Sequence, residues 1–469
     1  MPGVEFTTND YSVFAADDWK ITQRLSLSLG LRWEYQQMPD PVASLVNPLE
    51  PRTGQLPSDT NNFGPRIGFA YDVFGKGKTV LRGGYGLYYG RVINSTIFNA
   101  LTVTGAPGSQ VSLSFTPSSA GAPVFPKILT SLTGVGRNID FFDPNFQNPQ
   151  IHQIDMSIEQ DLGWNTALSV SYLGSLGREL PTFVDANVAT NRISSVTYNV
   201  NGGPLGTGTY TTALFQPFST TQARPNANFG AMSDIVSGVN SSYHALAIQV
   251  NHRLSHNIQF GANYTWAHAI DFGQNQTTFS STNSFLFPNS IAAEKGNSQY
   301  DVPNRFVLNA IINSPWKKDG WMGVLANGWE FAPVYQIQNG LPYTLSVSGN
   351  APVPGPVPAG GVLGSINNSG GTNRIDILGN NSFRMPMTWV TDMRIAKNFS
   401  IREKYKVELL TDFFNVANKQ NVMSVNTTGY IISGNNLNFN PTFGTTTGVN
   451  NSNFLYTPRQ IQLGARVKF

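Results

Sequence analysis

Five histidines are the residues of this chain best suited to ligate a metal or move a proton: His152, His244, His252, His256 and His268. His244 and His252 share strand parity but lie eight residues apart. That is about 26 Å along a strand at roughly 3.3 Å per residue, too far to share an ion. His252 and His256 flank a tight turn and can approach each other, though polar residues on a rim is the plainer reading. Gly84-Tyr85-Gly86 with Gly90 looks like a dinucleotide loop, but the G-x-G-x-x-G spacing is missing and no helix follows. Those glycines instead leave room beside a strand or ease its curvature. The chain has no G-x-S-x-G, no H-E-x-x-H, no phosphate loop and no convincing carboxylate pair. Asp271 and Asp301 fall in loops with no partner visible in the sequence. There is no cysteine, which excludes a disulfide framework, thiolate-bound zinc and a thiol nucleophile. The expectation is therefore a protein that is not an enzyme, with no catalytic, cofactor-binding or metal residues and no cofactor.

Charged residues are 12% of the 469, about half of the roughly 25% usual in soluble domains. Aromatics are also 12%, and the chain holds 45 Gly and 29 Pro. This suits many short strands joined by polar connections, in a membrane barrel, a sandwich or a propeller. Thirty cations against 27 anions give a net charge of +3, no footprint for nucleic acid. No stretch approaches the roughly 18 apolar residues of a spanning helix.

Periodicity decides between these. From Leu25 to Gln36, Leu25, Leu27, Leu29, Leu31, Trp33 and Tyr35 face one way, while Ser26, Ser28, Gly30, Arg32, Glu34 and Gln36 face the other. Similar alternation predicts strands around Ile67–Val73, Leu81–Tyr89, Ile154–Ile158, Leu168–Tyr172, Leu246–Val250, Ile258–Trp266, Phe306–Ile312, Trp389–Ile395, Tyr405–Phe413 and Ile461–Phe469. Two are imperfect: Tyr11–Trp19 carries Asp17 on its apolar face, and Trp329–Ile337 contains Pro333, which lacks a ladder donor.

The connections then sort by length. Short turns are expected at Thr22-Gln23, Gly75–Lys78, Trp164, His256 and Asn398–Ile401. Long polar loops are expected over Met38–Gly64, Val92–Pro149, Ser175–Ser241, Asp271–Pro303, Gly340–Pro386 and Ala417–Thr457. Within the fifth, Ala351–Pro358 is Pro-rich and Ser365–Gly371 is Asn/Gly-rich, both read as surface loop. The connection Asn313–Asn327 is intermediate. Short and long alternate, as the periplasmic turns and extracellular loops of an outer-membrane barrel do. The predicted fold is all-β: an antiparallel transmembrane β-barrel of about 13 or more strands, with the loops from Val92 and Ser175 able to hide a further hairpin each. Trp33, Tyr35, Tyr89, Tyr172, Trp266 and Trp389 are expected to form an interfacial aromatic girdle. Ile461, Leu463, Ala465, Val467 and Phe469, apolar at alternate positions and ending on an aromatic, have the pattern read by the barrel assembly machinery.

Tyr11–Tyr35, Asn62–Tyr71, Tyr243–Trp266, Asn339–Thr344 (NGLPYT), Thr411–Asn418 (TDFFNVAN) and Pro458–Phe469 (PRQIQLGARVKF) together resemble the barrel of Oar-like TonB-dependent receptors. The resemblance spans nearly the whole chain and implies a barrel of about 22 strands around a plug. Met1-Pro2-Gly3-Val4-Glu5 has neither the basic nor the apolar region of a signal peptide, and no TonB box or plug is recognisable. The whole chain, residues 1–469, is thus read as the C-terminal portion of such a barrel. The resemblance implies the cell outer membrane and its lipid, uptake of a bulky substrate met first by the long loops, and TonB acting only through the missing plug. Two other classes stay open: a smaller, complete, passive outer-membrane channel, and a secreted β-rich carbohydrate-binding or adhesin protein. No nucleic-acid partner is expected.

Overall fold

The computed structural model describes the chain apart from residues 1–3, 112–125, 127–136, 189, 191, 216–223, 273–284, 289, 353–364, 370, 402–404, 451–456 and 469. Thirteen strands follow one another in a single antiparallel meander. They are β1 Asn9–Lys20, β2 Leu25–Gln37, β3 Asn62–Asp72, β4 Thr79–Tyr89, β5 Gln150–Gly163, β6 Thr166–Asp185, β7 Phe229–Ser255, β8 Ile258–Asp271, β9 Asn304–Asn313, β10 Trp329–Gln338, β11 Thr388–Ile401, β12 Tyr405–Phe414 and β13 Gln460–Lys468. Each pairs with its neighbours in sequence. Among the described residues β1 and β13 do not pair with each other, and every residue of β1 is exposed.

The register carries one apolar face across all the strands. Leu29 lies between Asp17 and Ile67. Ile67 lies opposite Tyr85, Tyr85 opposite Ile154, and Met156 opposite Tyr172. Tyr172 meets Leu246, Leu246 meets Trp266, and Tyr264 meets Phe306. Phe306 pairs with Ile337, Ile337 with Trp389, Met393 with Phe413, and Phe413 with Ile461. A slip of one residue anywhere would exchange the faces of every later strand. The opposite face carries Arg32, Arg66, Arg82, Asp155, Glu159, Arg394, Asp412 and Arg466, by the same pairing.

Local chemistry closes the short turns. Trp164 and Asn165 (φ 48° and 58°), and His256 and Asn257 (φ 49° and 66°), adopt the left-handed conformation of tight hairpin turns. At the β3–β4 turn the Asp72 carboxylate accepts from the N–H groups of Gly75 and Gly77 at 2.9 and 2.8 Å. Pro333 pairs with Met393 on β11, but on its other side the β9 ladder lapses between Val334 and Phe331, where the missing N–H falls.

Four sequence expectations need correction. Asn398–Ile401 belongs to β11 rather than to a turn. The Ser175–Ser241 loop is shorter than expected, because β6 runs on to Asp185 and β7 starts at Phe229. Those extensions do not alternate because both faces are covered: Thr182, Phe183, Ile235 and Val239 are all buried. The long connections are also not simply polar. The one from Val92 holds helix Asn94–Thr102 and strand Arg137–Phe142, which pairs parallel to the start of β7. The hairpin Arg192–Asn201/Gly208–Phe215 does exist within the Ser175 loop, but it joins a separate five-stranded sheet with Ser346–Ser348, Thr428–Ser433 and Asn436–Phe439. Residues 353–358 of the Pro-rich segment lie outside the described residues. No described helix is long and apolar enough to cross a membrane.

Candidate functional site

Three surfaces can carry function: the apolar face of the wall, its polar face, and the cap built from the long connections.

On the apolar face, Trp33 stacks on Tyr35 with ring centroids 6.3 Å apart, and Tyr35 on Tyr11 at 6.2 Å. Tyr172 and Trp266 flank Leu246 on one row, and Trp389 lies 6.5 Å from Tyr335. Tyr89 pairs with Gln150 at the loop end of β4. Trp33 donates its indole N–H to Thr60 O at 2.7 Å, the apolar-body, polar-tip arrangement of an interfacial aromatic. Ile461, Leu463 and Val467 on β13 are 60%, 77% and 58% exposed, with Ala465 in register with Leu409; Phe469 lies outside the described residues.

The same face absorbs three histidines that the sequence left unassigned. Tyr85 Oη and His152 Nδ1 hydrogen-bond at 2.8 Å, and Tyr172 Oη and His244 Nδ1 at 2.7 Å. Tyr172 folds over Gly174, where a Cβ would come within 3.1 Å of the hydroxyl. His268, in register with His244, reaches Asp301 at 3.3 Å. These three stand toward the loop end of their strands. His252 and His256 sit at the β7–β8 turn, and His252 bonds Thr166 and Ser255 rather than His256. No group of three or more ligands for a metal forms among the described residues.

The polar face is paired charge over small residues. Arg394 grips Asp412, Arg82 meets Glu159 at 3.3 Å, and Arg466 meets Glu408 at 3.3 Å. A cavity of about 280 Å³ is floored by Gly30, Gly68, Gly84 and Gly86 and edged by Asp18, Arg66 and Asp155. A Cβ at Gly84 would meet Asp155 Oδ1 at 2.6 Å, so this glycine makes room for a carboxylate. Arg66 stacks 4.6 Å above the Tyr88 ring.

Of the cap's three buried clusters among the described residues, two are large, and the third gathers Ile139, Phe141, Phe229 and Met232. One large cluster gathers Tyr198, Leu214, Leu286, Ile366, Ile375 and Tyr430 from four separate connections. Its Tyr210 hydroxyl donates to Asp376 at 2.8 Å. The other packs Ile97, Leu101, Phe142, Phe183 and Ile235. Beside it Arg52 binds Glu50 at 2.7 Å and Asp234 at 3.4 Å, and stacks 4.1 Å above Phe141. Burial pushes Asp140 up to about 6, against a bond from Ser233. Burial also pushes Asp234 up to about 6; Arg52 opposes this, and the charges of Asp143 and Glu50 add to it. Asp301, for which the sequence shows no partner, is almost fully buried and receives Arg384 and the Ala269 N–H. Arg384 is 83 residues away in sequence, too far for any local signal.

An antiparallel meander with one apolar and one polar face, short turns at one end and a folded cap at the other defines the wall of a transmembrane β-barrel. The chain belongs to the outer membrane beta barrel domain family, whose model matches residues 2–462. Among solved structures it is similar to the outer membrane transporter YddB from Escherichia coli: TM-score 0.51, 11% identity, covering 98% of this chain and 45% of that one. The FrpB iron transporter from Neisseria meningitidis (F3-3 variant) gives TM-score 0.48 at 11% identity, covering 98% and 46%. The ferripyoverdine receptor of the outer membrane of Pseudomonas aeruginosa gives 0.46 at 10%, covering 98% and 38%. This chain thus spans less than half the length of these structures. No curated protein matches its sequence. The outer membrane is its place.

Proposed function

We propose that this chain is the C-terminal part of an Oar-like TonB-dependent receptor barrel that takes up a bulky substrate. The carrying observation is the cap: connections at one end of the wall fold around shared cores instead of trailing as separate loops. A receptor needs such an ordered outer surface to hold a ligand, whereas a passive pore needs only an opening. The paired charges and glycine-floored cavity of the polar face suit contact with a plug. Thirteen strands also support a larger wall. Among the described residues the run is odd, so its first and last strands point the same way and an all-antiparallel closure would need further strands between them. TonB would act through the plug, and β13 would be the strand read by the assembly machinery, with Ile461, Leu463, Ala465, Val467 and Phe469 as its signal. Trp33, Tyr35, Tyr89, Tyr172, Trp266 and Trp389 would mark the interfaces. We read the chain as a non-enzyme and assign no residue to catalysis. A secreted binding protein fits poorly with an apolar face running across thirteen strands.

The test is binding by outer membranes bearing the chain to a panel of ferric siderophores, oligosaccharides and peptides. Saturable binding lost on Leu286→Ala, which opens the larger cap core, supports the receptor. No binding, with steady ion conductance in planar bilayers, supports the passive channel instead.

A further inference from the structure

The turn-side connection between β9 and β10 is longer than its neighbours and contains a short helix, Gly320–Ala326, that presents apolar side chains outward. Trp321, Met322, Val324 and Leu325 are 73%, 54%, 59% and 63% exposed, and Trp316 is 54% exposed. Lys317 and Lys318 stand just before them, both exposed. In water this exposure would be unfavourable.

The helix is fixed to the apolar face of the wall. Lys397 lies on that face, in register with Trp329 and Leu409. A cation facing hydrocarbon is costly unless its donors are met. Here the Lys397 ammonium donates to Leu325 O at 3.2 Å and to Asn327 O, carbonyls at the C-terminal end of the helix. It also lies 5.1 Å from the Trp329 ring and 5.3 Å from Phe399, and the residue is only 7% exposed. Trp329 donates its indole N–H to Leu325 O at 2.8 Å. Asn327 closes the loop by bonding both the N–H and the carbonyl of Lys318, at 2.9 and 2.8 Å. Between helix and wall runs a groove of about 480 Å³, lined by Leu325, Trp329, Ile395, Phe399, Leu409 and Leu463.

We propose that the segment from Trp316 to Ala326 is an interfacial anchor that seats a glycerophospholipid of the periplasmic leaflet, one acyl chain in this groove and its phosphate at Lys317 and Lys318. Three observations select a lipid. The groove is continuous with the face that meets the membrane. Apart from Lys397 and Thr411 its lining is apolar, while Lys317 and Lys318, exposed just ahead of the helix that walls it, carry the charge that matches a headgroup phosphate. Aromatic and basic side chains together are what an interfacial helix presents to a bilayer. The inference rests on the membrane orientation proposed above.

The chain has no cysteine, so single substitutions place unique spin labels. The whole barrel that contains this chain, with any cysteine outside residues 1–469 replaced by serine, is refolded into vesicles of phosphatidylethanolamine and phosphatidylglycerol with a label at Met322→Cys, Leu29→Cys or Gly77→Cys. Collisions with oxygen, which partitions into lipid, are compared with those of a water-soluble nickel chelate. Labels at 29 and 322 should both favour oxygen, and the label at 77 should favour the chelate. Lys317→Glu with Lys318→Glu should shift the label at 322 toward the value at 77 and leave the label at 29 unchanged. Oxygen preference at 29 with chelate preference at 322 overturns the anchor, leaves the membrane wall intact and points to a water-borne protein partner. Chelate preference at both 29 and 322 overturns the wall orientation and the anchor with it.

Discussion

Arg394 on β11 donates to both carboxylate oxygens of Asp412 on β12, Nε to Oδ1 at 2.6 Å and Nη2 to Oδ2 at 2.9 Å. The two-pronged geometry fixes both side chains along the polar face. The Arg394 side chain remains 44% exposed, so solvent in the lumen screens the pair. Arg394→Ala is expected to lower stability by about 0.5–1 kcal/mol in urea titration at low salt, with the difference fading in high salt. A loss several times larger that ignores salt would show a dry interior at this point.

Leu29 and Ser28 separate the two faces by one residue. Leu29→Arg puts a cation on the lipid face, and should cost roughly 2–4 kcal/mol on folding into lipid if the site is near mid-bilayer. Ser28→Arg enters the polar face beside Asp18 and should cost far less; Ser28 already bonds Asp18 at 2.5 Å. Equal costs would contradict the face assignment.

The cap should loosen as pH rises. Asp140 and Asp234 hold their protons more tightly folded than unfolded, their pKa values being raised from 3.8 to about 6. Their contribution is therefore complete below about 3.8 and lost as pH climbs through about 6, on the order of 3 kcal/mol each. Hydrogen exchange in residues 92–106 and 229–236, corrected for intrinsic rates, should be faster relative to reference at pH 7.5 than at pH 5. Asp140→Asn with Asp234→Asn should flatten the dependence. Slower corrected exchange at pH 7.5 would reverse the sign and refute the account of burial.

The two ends of the wall should differ in access from outside the cell. Gly206 tips a cap hairpin (φ 73°) with open space around it, and Gly77 tips the β3–β4 turn in the same condition (φ 66°). A protease site inserted at Gly206 in the full-length receptor should be cut on intact cells, while one at Gly77 should be protected. The opposite pattern would invert the topology.

The wall was legible because each membrane strand has one apolar and one polar face, a period of two that survives in the sequence. Leu25–Gln36 shows it cleanly, and even Asp17 and Pro333 did not hide their strands. The cap was not legible. Tyr198, Leu286, Ile366 and Tyr430 come from different connections and form a core only once the wall has brought the loop ends together. The extensions of β6 and β7 lost their alternation because both faces are covered. Asp301 with Arg384, and Lys397 with Leu325 and Asn327, are long-range partnerships without a local pattern. The histidines drew attention as chemistry-bearing residues, yet their partners are tyrosine, threonine, serine and a single carboxylate.

The central claim is that consecutive residues of β2 alternate between lipid and a water-filled lumen. Single cysteines introduced at each position from 25 to 36, in outer membranes, can be reacted with a water-soluble maleimide and with a lipid-soluble one. The account predicts that positions 26, 28, 30, 32, 34 and 36 take the water-soluble reagent, while 25, 27, 29 and 31 take only the lipid-soluble one, with 33 and 35 intermediate at the interface. Uniform reactivity with the water-soluble reagent along the strand would contradict a membrane wall.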